Sequence, residues 1–402
     1  MPPAGDALLD RLSSLLPEAE PVALAAALVR LPSENPPGNE APCLEMLAAR
    51  LAAWGWAVER VLSPAGRLNL AARLEFPRPG PWLVLNGHLD VVPAGDPATW
   101  STPPYGGEIR QGRLYGRGAA DMKAGVAALV WGARLAQLSG QDLAGGLLLH
   151  LVSDEENGGQ EGSACLVSPD QPQAAAAIVA EPTGLNLVVA QRGALWTRLR
   201  LLGRAGHGAL SGQGGNAIAA LGPLLTRLAQ WRPAGEHPLL GGAGLNPGRV
   251  RGGGRVNQVP ALCELELDLR YVPGQEPEDL RRELAALANE ALAGREVGLE
   301  LEPMLLARPY VLDPADPWLR LVARCAGQVR GQEIKTRGIK GMTDARFYVE
   351  RWGVPAAVLG PGRGAQAHGA DEFVEISQVR QAALIYALAA VHFLGGGMGR
   401  EG

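Results

Sequence analysis

The chain has 402 residues, 47% of them hydrophobic, enough for a large core and more than one domain. Its 37 lysines and arginines stand against 41 aspartates and glutamates, so no basic excess is present to grip nucleic acid. Four cysteines, Cys43, Cys165, Cys263 and Cys325, lie far apart without a CxxC pair, which argues against a cysteine zinc site and fits free thiols in a reducing cytoplasm.

The opening MPPAGDALLDRL carries acids early and lacks a basic start followed by an apolar run, so no signal peptide is expected. PWLVLN (81–86) predicts a strand and MKAGVAALVWGARLAQ (122–137) a helix. GLLLHLV (146–152) and AAAIVA (175–180) are continuously apolar, as strands buried on both faces are. Near residue 190 the character changes. LWTRLRLLG (195–203) and CELELDLRY (263–271) alternate apolar and polar residues, the mark of a sheet with one wet face. A helix over NAIAALGPLLTRLAQW, a strand around Arg249 to Val256, a helix over EPEDLRRELAALANEAL and a strand over VGLELEPML complete a β-α-β-β-α-β order, the ferredoxin-like split unit. Beyond about Ala307 the α/β alternation returns, with VPAAVLG as a strand and ISQVRQAALIYALAAVHF as the last helix. ALIYALAAVHFLG is too short to span a bilayer. The expected class is α/β: a mostly parallel sheet covered by helices, built from residues 1–188 and 304–402, with an inserted α+β domain over 189–303.

The chemistry gathers where predicted strands end. GLLLHLVSDEENGG runs a buried strand into Asp154, Glu155 and Glu156, and like charges that close resist ionising together unless something positive is near. His88, in LVLNGHLD, has Asp90 two residues on to accept its ring N–H; alone, this pattern also fits a surface histidine. Asp121, in LYGRGAADMKAG, sits before a helix and suits either an N-cap or a carboxylate shared by two ions. Glu181, in VAEPTG, and His368, in LGPGRGAQAHGADEF, again follow strands. In open α/β sheets the carboxyl ends of strands are where sites form. Two histidines, two glutamates and one shareable aspartate suit a pair of borderline metals such as zinc, while Glu155 is left to accept a proton from water. His150 and His392 read as core histidines and His237 as a loop residue.

With GHLDVVP, GRGAADMKAG, SDEENGG, EPTG and AHGADEF in this order and spacing, the chain resembles the dinuclear zinc amidohydrolases, the group of acetylornithine deacetylase, succinyl-diaminopimelate desuccinylase, aminoacylase and carboxypeptidase G. The resemblance runs through nearly the whole chain. It implies one zinc on His88, Asp121 and Glu181, another on Asp121, Glu156 and His368, with Co2+ or Mn2+ as substitutes. It further implies Glu155 as general base and then acid, Asp90 orienting His88, and a cis Asp121–Met122 peptide. The inserted domain would be a lid and dimerisation domain in a cytoplasmic homodimer. His207, in GRAGHGAL, would reach a partner's active site, although the small hydroxyl residue often found after this histidine is missing. Asn257, in RVNQVP, would contact substrate, and Arg346, in GMTDARFY, with Arg192 and Arg270, would hold its carboxylate. The expected activity is amide hydrolysis of an N-acyl amino acid, of deacetylase or desuccinylase type. A dipeptidase or carboxypeptidase with the same centre is the first alternative. A catalytically silent binding protein is the second, and the presence of all five ligands and Glu155 argues against it.

Overall fold

The computed structural model describes residues 7–169, 173–209 and 215–396. The chain divides into two units, one comprising Met1–Val189, Leu312–Arg337 and Thr343–Gly402, the other Ala190–Val311 with Gly338–Met342. The inserted unit therefore runs past the expected limit of residue 303. Its last long strand continues through Ala307, because it pairs with the first along its whole length, from Gly298 opposite Leu202 to Ala307 opposite Ala194.

The sheet of the first unit runs, in order, Ala57–Leu62, Leu68–Glu75, Ala144–Val152, Arg78–His88, Ala176–Val179, Ala356–Val358 and Leu187–Gln191. Its middle four strands are parallel, and the flanking pairs are antiparallel. The continuous apolar runs lie in these middle strands, which are buried along almost their full length except for the exposed first half of Arg78–His88. Two long helices cover them, Ala124–Leu138, nearly all of whose residues are buried, and Ile376–Leu394, buried along most of its length. Small residues let these helices approach closely. A Cβ on Gly132 would stand 2.8 Å from the Tyr386 Cβ, and one on Gly87, next to His88, 2.8 Å from Val126. Among the described residues no single helix is long and apolar enough to cross a membrane.

The second unit carries an antiparallel sheet ordered Gly244–Gly252, Leu262–Tyr271, Gly193–Leu202 and Gly298–Ala307, with helices Ala217–Gln230 and Pro277–Leu292. Chain order and strand order together are those of a ferredoxin-like split unit. Alternation sets the two faces. Leu199, Leu201, Leu265 and Leu267 join Leu224 and Leu284 in the core. Arg198 and Arg200 face outward, flanked by Glu264 and Glu266 on one neighbour and Glu300 and Glu302 on the other. The second strand starts earlier than expected and ends at Gly252 rather than Val256. Gly252, Gly253 and Gly254 follow in a row, and Gly253 adopts φ +74°, which breaks the extended run.

Candidate metal centre

Strand register assembles the first half of the site. His88 pairs with Val152 and Asn86 with Val179, so His88 lies level with the end of the Ala144–Val152 strand and with Glu181. The parallel neighbours therefore release His88, the Asp154–Glu156 turn and Glu181 at one edge. His88 is buried, and its Nδ1 donates to the Asp90 main-chain oxygen at 2.9 Å, with the Asp90 carboxylate at 3.4 Å. That fixes the proton on Nδ1 and turns Nε2 inward, 3.2 Å from Asp121 Oδ1, 3.9 Å from Glu181 Oε1 and 4.0 Å from Glu155 Oε2.

Asp90 does more than face His88. Its fully buried carboxylate accepts the main-chain N–H of Glu155 and of Glu156, each at 3.1 Å, and the amide of Asn35 at 2.9 Å. It thereby fixes the short 3-10 turn Glu155–Asn157. Asp154 belongs to the scaffold: at φ +69° it turns the chain, and its carboxylate accepts from Arg67, Asn35 and the Glu161 N–H. The sequence paradox of three adjacent acids thus resolves unevenly. One acid is paired with arginine, while the other two enter the site.

Asp121 sits in a kinked turn, Ala119–Lys123, at a cis Asp121–Met122 peptide. Buried Glu372 accepts the N–H of Ala120 at 2.8 Å and of Asp121 at 3.1 Å. On the other side, His368 Nε2 lies 3.2 Å from Glu156 Oε1 and 3.6 Å from Asp121 Oδ2. Two clusters able to hold a metal result, His88 with Asp121 and Glu181, and Asp121 with Glu156 and His368, their ligand atoms in each case within 4.8 Å of one another.

The electrostatics call for positive charge. Burial pushes the Glu155 and Glu181 carboxyls well above the usual range, with neighbouring carboxylates adding to the effect. Glu156 is raised by burial too. Hydrogen bonds from His368 and His88 outweigh burial at Asp121 and hold its carboxyl low. Hydrogen bonds to Asp121 and Glu156 push the His368 imidazole up to about 10. Glu181 Oε1 is buried with no hydrogen-bond partner. A buried acceptor left bare is costly, and an inward imidazole nitrogen beside three carboxylates has only a proton or a metal to offer them. The donor set, two imidazoles and three carboxylates with one shared, fits two borderline divalent ions.

The remaining expected residues are placed less directly. Arg346 is buried, and its guanidinium donates to the Gly158 and Thr343 carbonyls, so it holds the turn after Glu156 rather than presenting a free fork. In the second unit, Arg192 donates twice to the Leu240 carbonyl and Arg270 pairs with Asp268 at 2.8 Å, leaving Arg270 Nη1 buried and unpartnered. His207 pairs with Gln258 in a two-residue ribbon, and beside it the Gly208 N–H donates to the Asn257 carbonyl at 2.8 Å. His207 and Asn257 line a cleft of about 780 Å³ together with Arg251, Gln258 and Glu264. Leu210 of the GHGAL stretch lies outside the described residues. His150 is a core histidine, its Nδ1 2.8 Å from the Tyr348 hydroxyl, and none of the four cysteines is in a disulfide.

Sequence reading missed Glu372, Asp344, Asn35 and Arg67. Asp344 is buried, accepts the Ser163 hydroxyl at 2.7 Å, and burial lifts its carboxyl to about 6. Both acids stand inside motifs that also hold a site candidate, AHGADEF with His368 and GMTDARFY with Arg346.

The pattern of peptidase family M20/M25/M40 matches residues 84–392. The succinyl-diaminopimelate desuccinylase of Caulobacter sp. (strain K31) is 33% identical over 387 residues, covering 91% of this chain and 94% of its own length. The chain belongs to peptidase family M20/M25/M40. It is thereby a hydrolase of the M20 type, and solved M20 structures share its fold. A dipeptidase from Saccharomyces cerevisiae superposes with a TM-score of 0.80 at 15% identity, over 97% of this chain and 98% of its own. A dinuclear metal-binding peptidase of the M20 family from Bacillus subtilis does so with a TM-score of 0.67 at 16% identity, over 96% and 99%.

Proposed function

We propose that this M20 hydrolase is a two-zinc enzyme that cleaves the amide bond of an N-acyl amino acid, with N-succinyl-diaminopimelate as its first candidate substrate. The observation that carries the reading is the pair of ligand clusters sharing Asp121, with the raised carboxyl of Glu155 beside them and outside both. The desuccinylase relative, 33% identical along almost the whole chain, supports the choice of acyl group.

In this reading His88, Asp121 and Glu181 hold one ion, and Asp121, Glu156 and His368 hold the other; Co2+ and Mn2+ would fit the same donors. When bound, such ions act as Lewis acids that polarise an amide carbonyl and make a water nucleophilic near neutral pH. Asp90 holds the N–H groups of Glu155 and Glu156 so that the two side chains leave one turn toward different histidines. Glu155 takes a proton from the attacking water and delivers it to the leaving amine nitrogen. Its raised pKa makes it a stronger base than a solvated carboxylate. The tetrahedral oxyanion needs a donor, and His207 of a second subunit is assigned to it, with Asn257 contacting substrate. Arg270, whose Nη1 has no hydrogen-bond partner, and Arg192, which feels the Arg270 charge, would bind the substrate carboxylate. The second unit then serves as lid and dimerisation domain of a cytoplasmic homodimer.

The test is amine release from N-succinyl-diaminopimelate, N-acetylornithine, simple N-acetyl amino acids and several dipeptides, before and after chelation and zinc return. Zinc-dependent release from the succinyl substrate supports the proposal. Release from dipeptides alone would move the enzyme to peptide hydrolysis with the same centre.

A further inference from the structure

We infer that the buried Arg117–Glu372 ion pair is a positioning device that holds the His368 ligand loop against the Asp121 turn, and so sets the affinity of the outer of the two metal positions. The inference rests on the two-ion reading above.

The two residues lie 255 positions apart, yet Arg117 Nη1 meets Glu372 Oε2 at 2.6 Å, with both side chains almost fully buried. Each partner has further work. Glu372 Oε1 accepts the N–H groups of Ala120 and Asp121, which fixes the backbone from which the shared carboxylate projects. Arg117 donates to the main-chain oxygens of Gly369 and His368, at 3.2 and 3.3 Å, and its Nη2 also lies 3.5 Å from the Pro93 oxygen. One ion pair thus ties together the Asp121 turn, the His368 loop and the segment that follows His88 and Asp90. The fork of a guanidinium is what allows one side chain to serve a carboxylate and three carbonyls.

The two metal positions depend on this pair unequally. His88 and Glu181 end parallel strands and are buried, so sheet register places them without it. Asp121 is additionally anchored from its other side, because the fully buried Lys123 donates to the Leu28 and Leu31 carbonyls at 3.0 and 2.7 Å. His368 lies on a loop rather than at a strand end; away from the Asp121 turn that loop is tied by the Gly364 N–H to the Pro182 carbonyl and by the Asp371 carboxylate to the Ser101 N–H. The His368 side chain is 53% exposed, its backbone stands at φ +65°, and its loop touches the Asp121 turn through Arg117 and Glu372. Loosening the pair should therefore free His368 first and leave the inner position close to intact.

The experiment measures zinc bound per subunit against free zinc, by equilibrium dialysis and mass spectrometry, for the unsubstituted chain, Glu372→Gln and Arg117→Lys. Lysine keeps a buried cation opposite Glu372 but loses the fork that reaches the His368 carbonyl. Thermal unfolding of the metal-free proteins controls for folding. The expected result is two sites in the unsubstituted chain. In both variants the weaker site loses tenfold or more in affinity while the tighter one changes less than threefold. Placing Glu372→Gln in a His368→Ala background should add no further loss. Two sites of unchanged affinity in a folded variant, or equal weakening of both, would overturn the inference. Fewer than two ions in the unsubstituted chain would overturn the two-ion reading itself, and that result is seen before any variant is compared.

Discussion

At the scale of single residues, adjacent Glu155 and Glu156 differ in what they face. Glu156 touches His368, whereas Glu155 approaches only His88, at 4.0 Å. Glu155→Ala is therefore expected to keep its metal content and lose turnover by about a hundred- to ten-thousand-fold, the range for removing a general acid–base; parallel zinc analysis and kinetics check it. His368→Ala should lower bound zinc by one ion per subunit at limiting zinc. A pH prediction comes from His150, far from the ligands in function but next to Tyr348. Burial, aided by Arg73, pushes its imidazole down to about 3. The unfolded chain protonates this histidine near about 6.5, while the folded chain does not until much lower pH. Below that upper value the unfolded state binds the extra proton, so stability falls as pH falls, by up to about 1.4 kcal/mol per pH unit for one site. Urea unfolding between pH 6.5 and 4.5 should show a slope shallower by up to one proton in His150→Gln.

At the scale of elements, the centre is a product of parallel register. Its strands were legible because burial on both faces demands unbroken apolar runs, as in Ala144–Val152. The five candidate ligand positions, which the structure gathers into two clusters able to hold a metal, stood out because each follows such a run or opens a helix. What stayed hidden are the partners. Nothing in the local sequence of Glu372 announces Arg117, and nothing around Asp154 announces Arg67, 87 residues away. Long-range pairing has no local signature, so an acid in a motif reads as a ligand or as a solvated charge with equal ease. The strand placed around Arg249 to Val256 ends instead at Gly252, where a run of glycines breaks the extended backbone. Close packing supplies a test at this scale. A Cβ on Gly125 would stand 2.3 Å from the Ala180 carbonyl oxygen, one residue before Glu181. Gly125→Val should cost about 1–3 kcal/mol in urea unfolding and weaken zinc binding by shifting the strand end that carries Glu181.

At the scale of the whole molecule, an α/β unit built from both ends of the chain carries the five candidate ligands, and an inserted split unit carries His207, Asn257, Arg192 and Arg270. If His207 serves a partner's site, mixing inactive His207→Ala and inactive Glu155→Ala proteins should restore part of the activity through heterodimers, up to about one site in four at equal mixing. Absence of recovery, with subunit exchange demonstrated by mass, would confine His207 to its own subunit. The central claim is that metal held by these five residues drives amide hydrolysis with Glu155 as base. Its most direct test is a zinc titration of the chelated enzyme, following succinate release from N-succinyl-diaminopimelate at each added equivalent. The account predicts no release without metal, a rise that ends by two equivalents per subunit, and a Glu155→Ala protein that binds the same zinc without turning over. Full activity in thoroughly chelated enzyme, or near-normal turnover by Glu155→Ala, would contradict it.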